Sequence, residues 1–330
     1  MNDIRLISGR SNKPLAEGIA KHLGKKLVNC TIDKFANSEI RVEINEDIRG
    51  CVVFIIQTGA MENDECNSVN DYIMETLLLV DTCKRAGVDK VNVILASFPY
   101  ARGDKKDKPR TPISGSVVTT ILKSVGTSRV ISLDLHSGQL QGFTKMPFDN
   151  LYGINLHIEN LKNNLFSGMG LEEINDKYVL VSLDVGGAKR VKQYAQKLKM
   201  KYAIMDKQRD YSKPNTVLQS VLVGNVSGKI AICIDDMMDT AGTLLAGVSD
   251  LQEHGAISAI VLVTHGILSG PAAERINGCD FINQVIVINT LDQTNNQRNI
   301  PKLRVIDSSA LFSEVIVKLV VGGSISQLFN

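Results

Sequence analysis

Short apolar segments rich in β-branched residues alternate along the chain with longer segments whose apolar residues recur at helical spacing. The short segments predict eight strands: Ile4–Ile7, Val52–Gln57, Val91–Leu95, Val130–Leu133, Val179–Ser182, Ile230–Ile234, Ile260–Thr264 and Val285–Ile288. The longer segments predict helices at Pro14–Leu23, Asp71–Ala86, Gly187–Leu198, Thr243–His254 and Ser309–Leu319. Because helices between strands require parallel crossovers, the pattern predicts an α/β fold.

The alternation occurs twice, and each occurrence contains a strand that leads into an aspartate, Asp134 in the first half and Asp235 in the second. A chain of 330 residues is long enough for two domains of about 150 residues each. We place residues 1–148, together with a returning segment 309–330, in one domain and residues 149–308 in the other. Each domain is expected to contain a mostly parallel sheet flanked by helices.

Composition limits which partners and which cellular compartment the sequence predicts. The net charge is only +2, which favours neither nucleic acid nor an anionic membrane as a partner. The six cysteines form no CxxC pair and have no short spacing to histidine, so we predict reduced thiols rather than zinc ligands. The first residues lack the features of a signal peptide, and no apolar run approaches the ~20 residues of a membrane span. A cytoplasmic protein is therefore expected.

One predicted strand, Lys229–Ile234, is followed by two aspartates and a loop of small residues that leads into a helix. In open parallel sheets, ligands bind beyond the carboxyl ends of the strands. Small residues allow backbone N–H groups to converge on an anion at a helix N-terminus, and aspartates accept hydrogen bonds from sugar hydroxyls. An ordinary capped helix would leave two adjacent aspartates after a buried strand unexplained. We expect a sugar-phosphate site formed by Asp235, Asp236, Asp239, Thr240, Ala241, Gly242 and Thr243.

The stretch Ile234–Leu244 resembles the phosphoribosyl-pyrophosphate loop that type I phosphoribosyltransferases share with ribose-phosphate pyrophosphokinases. Four further segments resemble the pyrophosphokinases in particular: Phe98–Asp107, Asp134–His136, Asp149–Tyr152 and Asp184–Arg190. The resemblance extends over nearly the whole chain, from Ser8 to Phe329. It implies two domains of the type I phosphoribosyltransferase kind. It also implies transfer of the diphosphoryl group of ATP to the 1-hydroxyl of ribose 5-phosphate, giving phosphoribosyl pyrophosphate and AMP with Mg²⁺ as cofactor.

The resemblance also assigns roles to individual residues. It implies that Lys207 and Arg209, in a polar flap between Asp206 and Asn215, close over the transferring group and are catalytic together with His136. The Mg²⁺ would be held by His136, Asp184 and Asp134. ATP would be bound by Phe35, Asn37, Glu39, Arg102, Gly103 and Asp104. The first three of these would reach the ATP of a neighbouring subunit.

Four positions depart from the family pattern. The family usually has glutamine at the position of Gly103 and glycine at the position of Ser38. Relatives that respond to phosphate tend to carry serine where this chain has Asp47 and Pro109. A carboxylate repels a bound anion, so we expect weak or altered activation by phosphate.

The resemblance further implies a homo-oligomer, with dimers assembling into a hexamer, because its ATP site needs two chains. Two other functions remain open. A phosphoribosyltransferase would share the sugar-phosphate loop but would need neither a second domain nor the loop Arg102–Asp107. A catalytically silent regulatory subunit of the same fold typically loses the residues that bind ATP and form the flap, which are largely present here.

Overall fold

The computed structural model describes residues 3–59, 67–106, 108–209 and 217–329, and it excludes the side chains of residues 207–209 and 217–220. The chain forms two compact units. Unit 1 contains Met1–Tyr152, Asn289–Asp292 and Asp307–Asn330, whereas unit 2 contains Gly153–Ile288 and Gln293–Ile306. The chain therefore crosses between the units four times, and unit 1 is built from three separate stretches of sequence.

Unit 1 is organised around a five-stranded parallel sheet with the order β1-β4-β5-β6-β7, and β2 and β3 form a separate antiparallel hairpin. Its strands are β1 (Ile4–Ser8), β2 (Cys30–Lys34), β3 (Ile40–Ile44), β4 (Val52–Gln57), β5 (Lys90–Leu95), β6 (Arg129–Leu133) and β7 (Phe148–Leu151). The helices that accompany them are α1 (Lys13–His22), α2 (Val69–Arg85) and α3 (Ser114–Ser124). Every residue of β4 is buried, as expected for a central parallel strand covered on both faces.

A buried polar cluster lies at the carboxyl end of β4. The fully buried Glu75 carboxylate of α2 accepts hydrogen bonds from Arg10 Nε at 2.6 Å and from Gln57 Nε2 at 2.9 Å. The Arg10 backbone N–H donates a further bond to Glu75 Oε1 at 2.8 Å. A buried charge is tolerated only when it is paired and hydrogen-bonded, so these bonds join the turn after β1 to both α2 and β4.

Unit 2 contains a seven-stranded sheet with the order β10-β9-β8-β11-β12-β13-β14. Its strands are β8 (Tyr178–Ser182), β9 (Tyr202–Arg209), β10 (Val217–Val223), β11 (Ile230–Met238), β12 (Ser258–Gly266), β13 (Ile282–Ile288) and β14 (Leu303–Ile306). The helices are α4 (Ile154–Asn160), α5 (Leu171–Lys177), α6 (Ala188–Leu198), α7 (Gly242–Glu253), α8 (Ala272–Asn277) and α9 (Thr294–Asn299). All neighbouring strands are parallel except β10, which runs antiparallel to β9.

Both faces of the unit 2 sheet are covered. Along β11, Ala231 and Cys233 contribute to one hydrophobic core, whereas Ile232 and Ile234 contribute to the other. Alternate residues of a strand point to opposite faces, so a continuous apolar run buries both sides. This explains why the residues of β11 are apolar without interruption up to its two aspartates.

The last helix, α10 (Ser309–Val321), belongs to unit 1 and packs against α1. The two helices approach closely at Gly18, where an added Cβ would lie 2.8 Å from Ser309 Cβ. The Ser313 hydroxyl also donates a hydrogen bond to the Ile19 carbonyl at 3.3 Å. Residues far apart in the sequence therefore form one continuous layer of this unit.

The predicted α/β fold with mainly parallel sheets is confirmed. All eight predicted strands are present, but β11 continues four residues beyond its predicted end, to Met238. It does so because its backbone stays paired with β12, with Asp235 opposite Val263 and Met238 opposite Gly266. Both aspartates therefore lie within a strand and are held by its backbone hydrogen bonds.

The described residues also bear on the predictions about membrane spans and cysteines. Among the described residues, no helix combines the length and the apolar character that a membrane span requires. The five described cysteines, Cys30, Cys51, Cys83, Cys233 and Cys279, are free thiols, and Cys66 lies outside the described residues. Burial raises the pKa of the Cys83 and Cys233 thiols to about 12, which makes them poor nucleophiles at neutral pH.

Candidate functional site

The loop between β11 and α7 is the predicted sugar-phosphate site. Ala241 adopts a left-handed backbone conformation with φ 59°, and α7 begins at the next residue, Gly242. The first helical hydrogen bond runs from Leu245 N–H to the Ala241 carbonyl, so the N–H groups of residues 242–244 precede the helical ladder. In the part of the chain that the structure describes, no side-chain hydrogen bond caps this helix N-terminus. Such an end presents N–H groups and a positive dipole end to an anion.

Two residues from later in the chain hold this loop. Arg275 Nη1, on α8, donates to the Thr240 carbonyl at 2.8 Å, and the Ser269 hydroxyl bonds to Asp239 Oδ1. The Arg275 guanidinium also lies close to Gly242, where an added Cβ would be 3.3 Å from Nη1. Sequence reasoning missed both contacts, because Arg275 and Ser269 lie about 30 residues beyond the loop and belong to no motif.

The adjacent carboxylates of Asp235 and Asp236 concentrate negative charge at the carboxyl end of β11. Asp236 is buried, and its backbone N–H donates to Asp235 Oδ1 at 2.8 Å. Burial, followed by hydrogen bonding and repulsion from Asp236, raises the pKa of Asp235 to about 8. Arg190 Nη2 lies 3.8 Å from Asp236 Oδ1 and offsets some of this charge. The pair is therefore suited to bind a cation or several hydroxyl donors.

Asp184 lies in the turn between β8 and α6. Its Oδ1 accepts a hydrogen bond from the Gly187 N–H at 2.8 Å, and its carbonyl accepts one from the Ser182 hydroxyl at 2.8 Å. The turn is compact, since an added Cβ at Gly187 would lie 2.3 Å from Ser182 Oγ. The Asp184 charge contributes to the raised pKa of Asp235, so the two carboxylates share one electrostatic environment.

The predicted metal ligands are divided between the units. Asp134, which is buried and has φ 41°, and the exposed His136 belong to unit 1, whereas Asp184 belongs to unit 2. Within the described ranges, no group of three or more His, Cys, Asp or Glu side chains is arranged to hold a metal ion. The donor chemistry of unit 2 nevertheless fits Mg²⁺, which prefers carboxylate oxygens and would offset the burial of negative charge that, together with Asp236, raises the pKa of Asp235.

The loop that carries Arg102 follows β5 in unit 1. Its base is fixed by the Phe98 ring, which packs against Phe148 with a centroid distance of 5.2 Å. Tyr100 adopts φ 57°, and its hydroxyl bonds to Asn70 Oδ1 at 2.5 Å. The Arg102 side chain is exposed and Asp104 is partly exposed, so both are accessible to a ligand.

Gly103 has a steric role in this loop. Its N–H donates to the Tyr100 carbonyl at 3.0 Å, and its carbonyl accepts from the Gly115 N–H at 3.0 Å. An added Cβ would lie 1.9 Å from Ser114 Oγ and 3.2 Å from Ser114 Cβ. The first residue of α3 thus occupies the space that a side chain at position 103 would need. The loop and the start of α3 therefore pack closely at Gly103.

Phe35, Asn37 and Glu39 form the tip of the β2–β3 hairpin. Phe35 N–H donates to the Glu39 carbonyl at 2.8 Å, and Asn37 Oδ1 accepts from the Glu39 N–H at 3.2 Å. Ser38 has φ 69°, so this turn uses the left-handed conformation that a glycine would adopt most easily. The Phe35 residue is 52% exposed, which leaves its side chain open to contact with a partner.

The predicted flap lies only partly within the described structure. Lys207 and Arg209 are backbone positions of β9, where Lys207 pairs with Ser220 and Arg209 with Val217 of β10. Their side chains, and residues 210–216, lie outside the described part of the chain. The catalytic role assigned to Lys207 and Arg209 stays a prediction.

Comparisons with known proteins agree over nearly the whole chain. A sequence profile of the N-terminal domain of ribose phosphate pyrophosphokinase matches residues 4–126, and one of the phosphoribosyl synthetase-associated domain matches residues 207–330. The chain is 34% identical to the phosphoribosylpyrophosphate synthetase of Mycobacterium smegmatis. The two structures match with a TM-score of 0.86 over 98% of this chain and 100% of that one. The chain belongs to the ribose-phosphate pyrophosphokinase family.

Membership of this family confirms the resemblance that the motifs indicated. A purine phosphoribosyltransferase from Pyrococcus horikoshii Ot3 is 13% identical, covers 47% of this chain and 83% of its own, and has a TM-score of 0.28. A hypoxanthine-guanine-xanthine phosphoribosyltransferase is 20% identical over 47% of this chain and 92% of its own, with a TM-score of 0.29. These two likenesses are too weak to support an argument about function.

Proposed function

We propose that this chain transfers the diphosphoryl group of ATP to the 1-hydroxyl of ribose 5-phosphate. The sugar oxygen attacks the β-phosphorus, the bond between that phosphorus and the oxygen of the α-phosphate breaks, and the hydroxyl proton is released. The products are phosphoribosyl pyrophosphate and AMP. The observation that carries this proposal is the full-length likeness to the synthetase of Mycobacterium smegmatis. The order of carboxylate pair, loop and open helix N-terminus in unit 2 supports it.

Ribose 5-phosphate is proposed to bind at the end of β11. Its phosphate would accept hydrogen bonds from the N–H groups at the start of α7 and from the hydroxyls of Thr240 and Thr243, and its 2- and 3-hydroxyls would donate to Asp235 and Asp236. The site also includes Asp239, Ala241 and Gly242. Arg275 and Ser269 hold the loop in place beforehand, so less conformational entropy is lost when the sugar binds.

ATP is proposed to bind at the residues of unit 1 already described. The planar Arg102 guanidinium is suited to the triphosphate, since it offers several donors in a rigid fork. Asp104 and the Gly103 backbone would contribute polar contacts, and His136 would lie beside the phosphates. From a neighbouring subunit, the Phe35 ring would stack on adenine while Asn37 and Glu39 bond its edge. The exposed ring of Phe35 supports this arrangement.

Lys207 and Arg209 are proposed to stabilise the transition state. Phosphoryl-type transfer depends mainly on positioning and on neutralising the charge of the transferring group. The two cations of β9 are suited to this role because they carry the positive charge that neutralises the transferring group. When bound, Mg²⁺ would supply Lewis-acid neutralisation of the diphosphoryl oxygens, with Asp184, Asp134 and His136 as its proposed ligands.

A homo-oligomer is part of the proposal, because the Phe35 hairpin would act on the ATP of a neighbouring chain. We propose dimers that assemble into a hexamer. Sedimentation or light scattering of the purified protein tests the assembly. A strictly monomeric but fully active protein would contradict the shared ATP site.

The decisive experiment incubates purified protein with ATP, Mg²⁺ and ribose 5-phosphate and follows the products by phosphorus NMR. AMP and phosphoribosyl pyrophosphate formed only when the sugar phosphate is present support the proposed function. A catalytically silent regulatory subunit would bind ribose 5-phosphate without turnover. A phosphoribosyltransferase would instead consume phosphoribosyl pyrophosphate together with a nucleobase.

A further inference from the structure

The β2–β3 hairpin has two chemically different faces. In its antiparallel register Ile32 pairs with Val42, and both pack against the hydrophobic core of unit 1. The neighbouring pair, Asp33 and Arg41, therefore lies on the opposite, outer face. Phe35 is two residues beyond Asp33, so its side chain follows on the same outer face.

The outer face holds an ordered group of three side chains. Arg41 Nε donates to Asp33 Oδ1 at 2.8 Å, and Arg41 Nη2 donates to Asp33 Oδ2, which makes the ion pair bidentate. The guanidinium carbon lies over the Phe35 ring, 5.9 Å from its centroid. Hydrogen bonding to Arg41 lowers the pKa of Asp33, so the pair stays charged at neutral pH. The Arg41 guanidinium thus lies on one face of the Phe35 ring, while the Phe35 residue as a whole remains 52% exposed.

A cross-strand ion pair on an exposed hairpin has a simpler explanation, which is that it only stabilises the hairpin. Exposed ion pairs contribute little to stability. An exposed pair within α2 provides a comparison. Arg85 Nε donates to Asp81 at 2.6 Å on an exposed helix surface. The Arg41 pair differs because its guanidinium also contacts an exposed aromatic ring. A ring fixed on one face loses less conformational entropy when a planar group stacks on the other.

We propose that Arg41 is a positioning residue for Phe35, held in place by Asp33 so that the open face of the ring receives the adenine of ATP. This inference rests on the proposed function, in which Phe35 stacks on adenine. In this role Arg41 would act through the Phe35 ring and would touch neither the phosphates nor the sugar. Its contribution therefore concerns the binding of ATP rather than the transfer step.

The test compares Arg41→Ala with the matched control Arg85→Ala, which removes an exposed arginine from an ion pair that has no ring contact among the described residues. A cation over an exposed ring contributes roughly 0.5–1 kcal/mol, so Arg41→Ala should raise the KM for ATP about two- to fivefold. The KM for ribose 5-phosphate and the unfolding temperature should remain at the wild-type values. Arg41→Lys keeps the charge but loses the bidentate fork, so it should restore only part of the ATP affinity.

A double-mutant cycle separates positioning from hairpin stability. In the Phe35→Ala background there is no ring to position, so adding Arg41→Ala should cause no further rise in the KM for ATP. An unchanged KM in Arg41→Ala, or an equal rise with and without Phe35, would overturn the inference.

Failure of the proposed function would look different. If the wild-type protein forms no AMP, the same variants are compared by equilibrium binding of ATP. A loss of ATP affinity confined to the Arg41 and Phe35 variants would still support the inference. If the wild-type protein does not bind ATP at all, both proposals fail.

Discussion

The Asp235→Asn substitution should change how the stability of the ligand-free protein depends on pH. The folded state holds the Asp235 proton up to a pKa of about 8, whereas the carboxyl of an unfolded chain releases it near pH 4. Between these two values the folded state binds more protons than the unfolded state. Stability from this group is therefore complete at acid pH and is lost as the pH rises towards 8.

The size of the effect follows from one proton per molecule. Where the folded state alone holds that proton, the free energy of unfolding falls by about 1.4 kcal/mol per pH unit. Between pH 5.5 and 7.5 this amounts to about 2–3 kcal/mol. Asparagine does not titrate, so the variant lacks this slope and should be the more stable protein at pH 7.5.

The assay is urea unfolding at pH 5.5, 6.5 and 7.5 without Mg²⁺ or substrates. Circular dichroism is the suitable signal, because the chain contains no tryptophan. Asp280→Asn is the matched control, since it removes an exposed carboxylate from the same unit. Parallel pH profiles for the wild type and Asp235→Asn would refute the reasoning. Mg²⁺ with ribose 5-phosphate should flatten the wild-type slope, because binding favours the deprotonated carboxylate.

Three further predictions concern the buried cluster and the two loops. Glu75→Ala leaves the Arg10 charge without its partner and should lower the free energy of unfolding by about 3–5 kcal/mol. The control Glu17→Ala removes an exposed carboxylate and should change this free energy little. Equal unfolding midpoints for the two variants would contradict a stabilising role of the buried cluster. Lys207→Ala should lower turnover by orders of magnitude while calorimetry still detects ribose 5-phosphate binding, and an unchanged turnover number would remove Lys207 from the mechanism. In Gly103→Ala the added methyl group would contact Ser114, so the KM for ATP should rise. A second substitution, Ser114→Gly, should reverse this rise. Gly142→Ala places a methyl group in open space and should leave the KM unchanged.

The parallel strands were the most predictable part of the fold. Segments such as Val52–Gln57 are apolar throughout because both faces of the strand are covered, and their observed bounds equal the predicted ones. The β2–β3 hairpin was not predicted as a pair of strands. Its residues alternate between core and solvent over only five positions, and polar residues such as Asp33 weaken the apolar signal.

The candidate site was predictable where its residues are contiguous. The motif from Asp235 to Thr243 forms a single strand–loop–helix, so its geometry follows from local sequence. Arg275 lies on α8 and Ser269 lies between β12 and α8, so the residues that hold the loop come later in the chain and leave no local pattern. The fit of Gly103 against Ser114 was equally hidden, since it depends on how α3 packs beside the loop.

The discontinuous make-up of unit 1 has a consequence for biosynthesis. The stretch Gly153–Ile288 of unit 2 leaves the ribosome before α10, which covers α1 through contacts at Gly18 and Ile19. Until Ser309–Val321 has been translated, the surface of α1 around Gly18 lacks the helix that packs on it. Unit 1 is therefore the first unit whose synthesis begins, yet it lacks α10 until after most of unit 2 has been made. We expect a nascent chain stalled before residue 309 to expose this surface to chaperones and proteases.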